Sequence, residues 1–176
     1  MRFLCIILIL LLLSGCYNTE NKKSNTELKQ LYDSLIDELN KGDYKLVKYL
    51  SREGIVDTMY FDSVNWPREL KLFTELNISK SRLNDYHVST SQNGCEKQFY
   101  SKSDKNTVKR YEYLDCNNKL SVAINLSKSS QLYAFSYYLE LNHKGYLIEI
   151  KSDVKMAYES NYRIEGKFIT NEDKTN

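Results

Sequence analysis

One proline and six glycines in 176 residues leave no room for collagen-like, proline-rich or glycine-rich linker sequence. Neither sign of charge dominates. Twenty-five basic side chains stand against 23 acidic ones, which excludes strong electrostatic steering toward nucleic acid or an anionic membrane surface. Long apolar runs are missing too. The one continuous stretch, Phe3 to Leu13, falls well short of the roughly 20 residues that a membrane-spanning helix needs. No glycine-rich phosphate loop, no His-x-x-x-His and no serine in a nucleophile-elbow setting occurs. The abundant residue is tyrosine, present 15 times. With so few turn-formers around it, that content indicates a folded, strand-rich domain rather than a disordered chain.

The apolar run has a defined context. Arg2 gives it a positive start, and Leu13-Ser14-Gly15-Cys16 ends it. A charged start, a short apolar core and a small-residue exit are the parts of a secretory signal peptide. A cysteine at the cleavage point adds a thiol that can be acylated. The pattern resembles the lipobox of bacterial lipoproteins, which implies a signal peptide at 1–15, a lipid (palmitate-type) anchor on Cys16 and residence in the cell envelope, on its periplasmic or surface face. Removing residues 1–15 takes away Arg2 and no acidic residue, so 24 basic and 23 acidic side chains remain.

Cysteine usage fits export. Cys5 leaves with the signal and Cys16 is the expected anchor, so Cys95 and Cys116 remain. In an oxidising compartment an even pair is expected to form a disulfide. Closing a loop of about 20 residues would stabilise by about 3 kcal/mol on a chain-entropy model. A metal site fails on count, because zinc takes four ligands and His87 and His143 are the only soft partners.

Residues 16–25 are polar and read as a tether. Residues 26–169 are expected to form one domain, and residues 170–176 a flexible tail. Ser24 and Glu27 are spaced as a capping box ahead of Leu28, Leu31, Tyr32, Leu35 and Leu39, which recur at helical spacing. Gly42 suits a helix stop, and Asp43 a cap for a second helix carrying Tyr44, Val47 and Leu50. Ile55 to Phe61 alternates loosely, as in a short strand. A third helix is expected to start near Trp66-Pro67 and to bury Leu70, Phe73 and Leu76. From about Tyr86 the period becomes two. Leu120, Val122, Ile124 and Leu126 form one alternating set; Phe135, Tyr137, Leu139 and Leu141 form the next, followed by Tyr146, Ile148 and Ile150. Asn117-Asn118 suits a tight hairpin turn. The expected fold is therefore α+β, with N-terminal helices packed on a curved antiparallel sheet of four to six strands.

That order, with the block Leu39-Asn40-Lys41-Gly42-Asp43-Tyr44, resembles the nuclear-transport-factor-2-like superfamily over about residues 26–151. A cystatin-like sheet wrapped on one helix is the alternative. The resemblance implies a cone-shaped pocket, for which Tyr111, Tyr113, Phe135, Tyr137 and Tyr138 would supply aromatic walls. It also implies that any proton transfer would use an Asp, Glu or His within the cone. Asp85 and His87 are the candidates, being two residues apart and on one face if that segment is extended. Ordinary core packing explains the tyrosines equally well, and no catalytic residue is assigned.

Three functional classes follow. The first is a membrane-anchored, non-catalytic binding module for an envelope protein or a small apolar ligand, with no cofactor and no nucleic-acid partner. The others are a cone-fold hydrolase or isomerase, and an immunity or inhibitor lipoprotein. Whether the chain is an enzyme stays open, with the absence of motifs pointing toward binding.

Overall fold

The computed structural model describes residues 20–76, 78, 80–116, 119–154 and 159–170. The expected signal segment, Cys16, Asn117-Asn118 and residues 171–176 lie outside the described residues. Helix α1 (Glu20–Lys41) begins four residues ahead of Ser24, so it extends into the expected tether, and Ser24 and Glu27 fall inside it rather than at its start. Among the described residues no helix is long and apolar enough to cross a membrane.

The body is one antiparallel sheet of nine strands. Their ranges are β1 (Lys45–Arg52), β2 (Ile55–Phe61), β3 (Tyr86–Thr90), β4 (Glu96–Ser101), β5 (Val108–Cys116), β6 (Lys119–Ser129), β7 (Tyr133–Asn142), β8 (Gly145–Val154) and β9 (Ser160–Ile169). In space the order is β2-β1-β9-β8-β7-β6-β5-β4-β3. From β3 to β9 the chain is a plain meander, and the β1–β2 hairpin adds to its far edge by pairing β1 with β9. This overturns the expectation of helices on a sheet of four to six strands, and the cone-like and cystatin-like alternatives with it. The clearest single difference lies at Gly42-Asp43. Asp43 takes a left-handed φ of 49°, the chain turns sharply, and Tyr44, Val47 and Leu50 lead into or lie on strand β1 instead of a second helix. Val47 and Leu46 are both buried, so the helical spacing of the apolar residues is equally a strand buried on both sides.

The expected third helix is split. Short helices α2 (Trp66–Glu69) and α3 (Lys71–Glu75) meet at Leu70, and the Asn65 side chain caps the first by accepting from the Arg68 N–H at 3.1 Å. A 3-10 helix (Lys80–Asp85) then leads into β3.

Side chains alternate across each strand, so the register assigns every residue to a face. One face carries Leu46, Phe168, Tyr146, Leu141, Leu139, Val122, Ile124, Tyr111 and Phe99, all buried. Helix α1 lies over it with Tyr32, Leu35 and Leu39, and α2–α3 with Trp66, Leu70 and Phe73. Trp66 meets Phe168 edge-on at 5.1 Å between ring centroids. The opposite face carries Glu112, Tyr138, Glu140, Glu149, Arg163, Glu165 and Lys167 and stays wet. Cross-strand ion pairs on it, such as Arg163 to Glu149 at 2.6 Å, are the exposed kind that contributes about 0–1 kcal/mol each.

Candidate binding face

The helices cover only part of the apolar face, and a polar cluster marks where the cover stops. Lys48 of β1 places its Nζ 2.7 and 2.8 Å from the two carboxylate oxygens of Glu69, at the end of α2. The Tyr146 hydroxyl of β8 donates to the same carboxylate. Burial first, and the hydrogen bond to Glu69 second, hold the Tyr146 proton far above the normal tyrosine range. Gly166 of β9 makes this possible, because a Cβ there would run into the Tyr146 ring. The cluster fastens α2 to the sheet. Nothing in the spacing of Lys48, Glu69 and Tyr146 signals it, since the three residues lie on three separate elements.

Beyond that row the apolar face continues, and among the described residues no helix lies above it. Leu50 and Arg52 of β1, Ile55 and Asp57 of β2, Ile150 of β8, and Tyr162 and Ile164 of β9 line a hollow of about 480 Å³. The volume is within the range of small-molecule sites, which are usually apolar with a few polar groups at the margin. Here the floor is Leu50, Ile150 and Ile164, each half-buried. At the rim the Arg52 guanidinium lies 5.1 Å from the centre of the Tyr162 ring. Glu53 and Arg163 also contribute to the wall, and a hollow of about 530 Å³ lies toward the opposite face, walled by Glu140, Arg163, Glu165 and Lys167 among others.

The expected aromatic wall is divided among three places. Tyr111 and Tyr113 are buried core residues beneath α1 and beside Phe99. The Tyr111 hydroxyl meets that of Tyr32 at 3.2 Å. Burial pushes Tyr32 up to about 12, partly offset by this hydrogen bond, and burial likewise raises Tyr111 well above normal. Phe135 and Tyr137 remain half-buried on the uncovered part of the apolar face. They form a row with Tyr133, which stacks on Phe135 at 6.1 Å between centroids, while Phe135 meets Tyr137 edge-on at 5.4 Å. Tyr137 pairs with Ile150 across β7–β8, so this aromatic row is continuous with the hollow. Tyr138 points to the opposite face, where its hydroxyl donates to Glu140; burial, and then that bond, raise its pKa.

Asp85 and His87 do not form a pair on one strand. Asp85 closes the 3-10 helix and His87 lies in β3, both exposed and on the far side of the sheet from the hollow. Cys95 and Cys116 are free thiols. The register that sets Glu96 against Leu114 brings Cys95 opposite Asp115, whose N–H donates to the Cys95 carbonyl at 2.9 Å, so Cys116 is offset by one residue. The thiols are close enough for a hydrogen bond, which, with lesser help from desolvation, pushes Cys116 up to about 11. Among the described residues no group of His, Cys, Asp and Glu could hold a metal ion. The hollow's residues had a sequence signal only as strand alternation, which does not distinguish covered from uncovered positions. No protein family, curated protein or solved structure matches this chain.

Proposed function

We propose that this chain is a lipid-anchored envelope protein with a non-catalytic binding role, and that the uncovered half of its apolar face receives the apolar part of a small ligand. The observation that carries this reading is the hollow over Leu50, Ile150 and Ile164, open to solvent beside a fully covered core on the same face. Exposed apolar surface of this kind costs free energy in water, about 25 cal/mol per Å², and marks interaction sites in soluble domains. The aromatic row Tyr133-Phe135-Tyr137 lengthens the surface, which suits an elongated apolar group better than a compact one. Arg52 at the rim supplies a cation for a polar end. The lipobox resemblance supports the location, since an anchored body meets apolar ligands at the bilayer to which it is tied.

The test is titration of the protein with cis-parinaric acid, a fluorescent fatty acid. Saturable binding at one equivalent is expected. Ile55→Glu and Ile150→Gln should each weaken it about tenfold or more, equal to about 1.4 kcal/mol. Ile55 is exposed enough that its replacement leaves the fold intact. Unsaturable fluorescence, or equal binding by both variants, would rule out the hollow as the site.

A further inference from the structure

Among the described residues strand β2 is an open edge of the sheet, and every one of its seven residues is exposed. Ile55, Val56, Met59, Tyr60 and Phe61 stand 37–74% accessible, and Asp57 is the only charge in the strand. Natural edges are usually guarded by lysine, proline or a bulge; β2 has none of these. The opposite edge, β3, is shorter and exposes only Val88 among its large apolar residues.

The hairpin turn fixes which backbone groups of β2 are free. Glu53 and Gly54 have φ of 52° and 86°, the two positive angles of a two-residue type I′ turn. The closing pair Arg52–Ile55 then exchanges both hydrogen bonds, and bonded pairs recur at every second position. Ile55, Asp57, Met59 and Phe61 aim their N–H and C=O groups at β1. Val56, Thr58 and Tyr60 aim theirs at the open edge.

We infer that β2 pairs antiparallel with β2 of a second copy of this chain, about a two-fold axis at Thr58. In this register Thr58 meets Thr58, and Val56 meets Tyr60 of the second copy on both sides. All outward-facing groups are then bonded, and the strands overlap over their full length. On the other face, Ile55 meets Phe61 and Asp57 meets Met59, so no like charges oppose. A shift of one residue sets outward groups against inward ones. A shift centred on Asp57 opposes two carboxylates and shortens the overlap. The strand is thus complementary to itself, the condition for a closed two-fold interface, formed by strand addition. The axis runs through the sheet, so the apolar faces of the two copies continue into one another. Ile55 lines the hollow, and Phe61 of the second copy extends its wall. The pairing rests on the backbone parity of β2 and stands whether or not the hollow holds a ligand.

Cysteine crosslinking of the full chain in intact cells tests the register, with Cys95→Ser and Cys116→Ser removing background. Thr58→Cys should give a species of doubled mass under mild oxidation, several-fold more abundant than with Val56→Cys. Co-produced Val56→Cys and Tyr60→Cys chains should crosslink to each other. Thr58→Pro, which removes an outward N–H and breaks no bond to β1, should halve the native mass of the otherwise unaltered purified chain in sedimentation. The inference is overturned by equal crosslinking at positions 56 and 58, by crosslinks to a species of another mass, or by a wild-type chain that sediments as a monomer.

Discussion

Tyr111 and Tyr113, two positions apart on β5, one with its hydroxyl satisfied and one without, show how closely the core is specified at single atoms. The hydroxyls of Tyr32 and Tyr111 bond each other, whereas the buried Tyr113 hydroxyl has no hydrogen-bond partner. Tyr113→Phe is therefore expected to be neutral or stabilising by up to about 1 kcal/mol, and Tyr32→Phe to cost about 1 kcal/mol, since it leaves the Tyr111 hydroxyl unpaired. Urea denaturation at pH 7 checks both. The same pair predicts alkaline sensitivity. Tyr32 is held up to about 12 when folded against about 10 when unfolded, so the unfolded chain releases its proton first. Stability is unaffected below pH 10 by this group and falls as pH rises from about 10 to about 12. Denaturation midpoints measured across that window should fall less steeply in Tyr32→Phe. Glu69 poses a different case: its carboxylate holds both Lys48 and Tyr146 in a site only about a fifth exposed. Glu69→Gln keeps the shape and removes the charge, and should lower stability by about 1–3 kcal/mol, read by thermal melting.

Among elements, α1 was legible from its apolar spacing, and β6 to β8 from their alternation, because each buries one face and polar residues mark the other. Leu39 is almost fully buried on the sheet-facing side of α1, and Leu39→Ala should cost about 2–5 kcal/mol and expose the apolar face, measurable as a lower denaturation midpoint with increased dye binding. Strand β1 was not legible. Its Val47 and Leu50, with Tyr44 just ahead of it, fit a helix locally, and only pairing with β9, over a hundred residues later, decides for a strand. The α2–α3 break at Leu70 was hidden because Trp66, Leu70 and Phe73 keep helical spacing across it, all three buried in the core. The thiol pair illustrates register. Cys95 and Cys116 have the sequence separation of a hairpin crosslink, yet strand pairing offsets them and leaves a hydrogen bond. With its proton held up to about 11, Cys116 should alkylate slowly at pH 8 under reducing conditions. Cys95→Ala should speed that labelling by removing the hydrogen-bonding partner, as mass spectrometry would show.

For the whole molecule, the arrangement is a wide sheet with too little helix to cover it. Among the described residues the helices fasten to one part of the apolar face and leave the rest uncovered, which is why binding rather than chemistry is the reading proposed. Cys16→Ser should move the chain from the membrane fraction to the soluble fraction, because a single charge-balanced body has no electrostatic route back to the bilayer. A variant still found with membranes would end the anchored reading.

Sequence alone determined the alternating strands, the first helix, the near-neutral charge and the apolar-then-cysteine start, because each is written in the order and spacing of neighbouring residues. Tertiary structure alone decided that β1 is a strand, that nine strands join one sheet, that Tyr111 and Tyr113 are core while Tyr137 borders a hollow, and that β2 is left as an open edge. These depend on which distant segments pair and on how far the helices reach, and no local pattern encodes either.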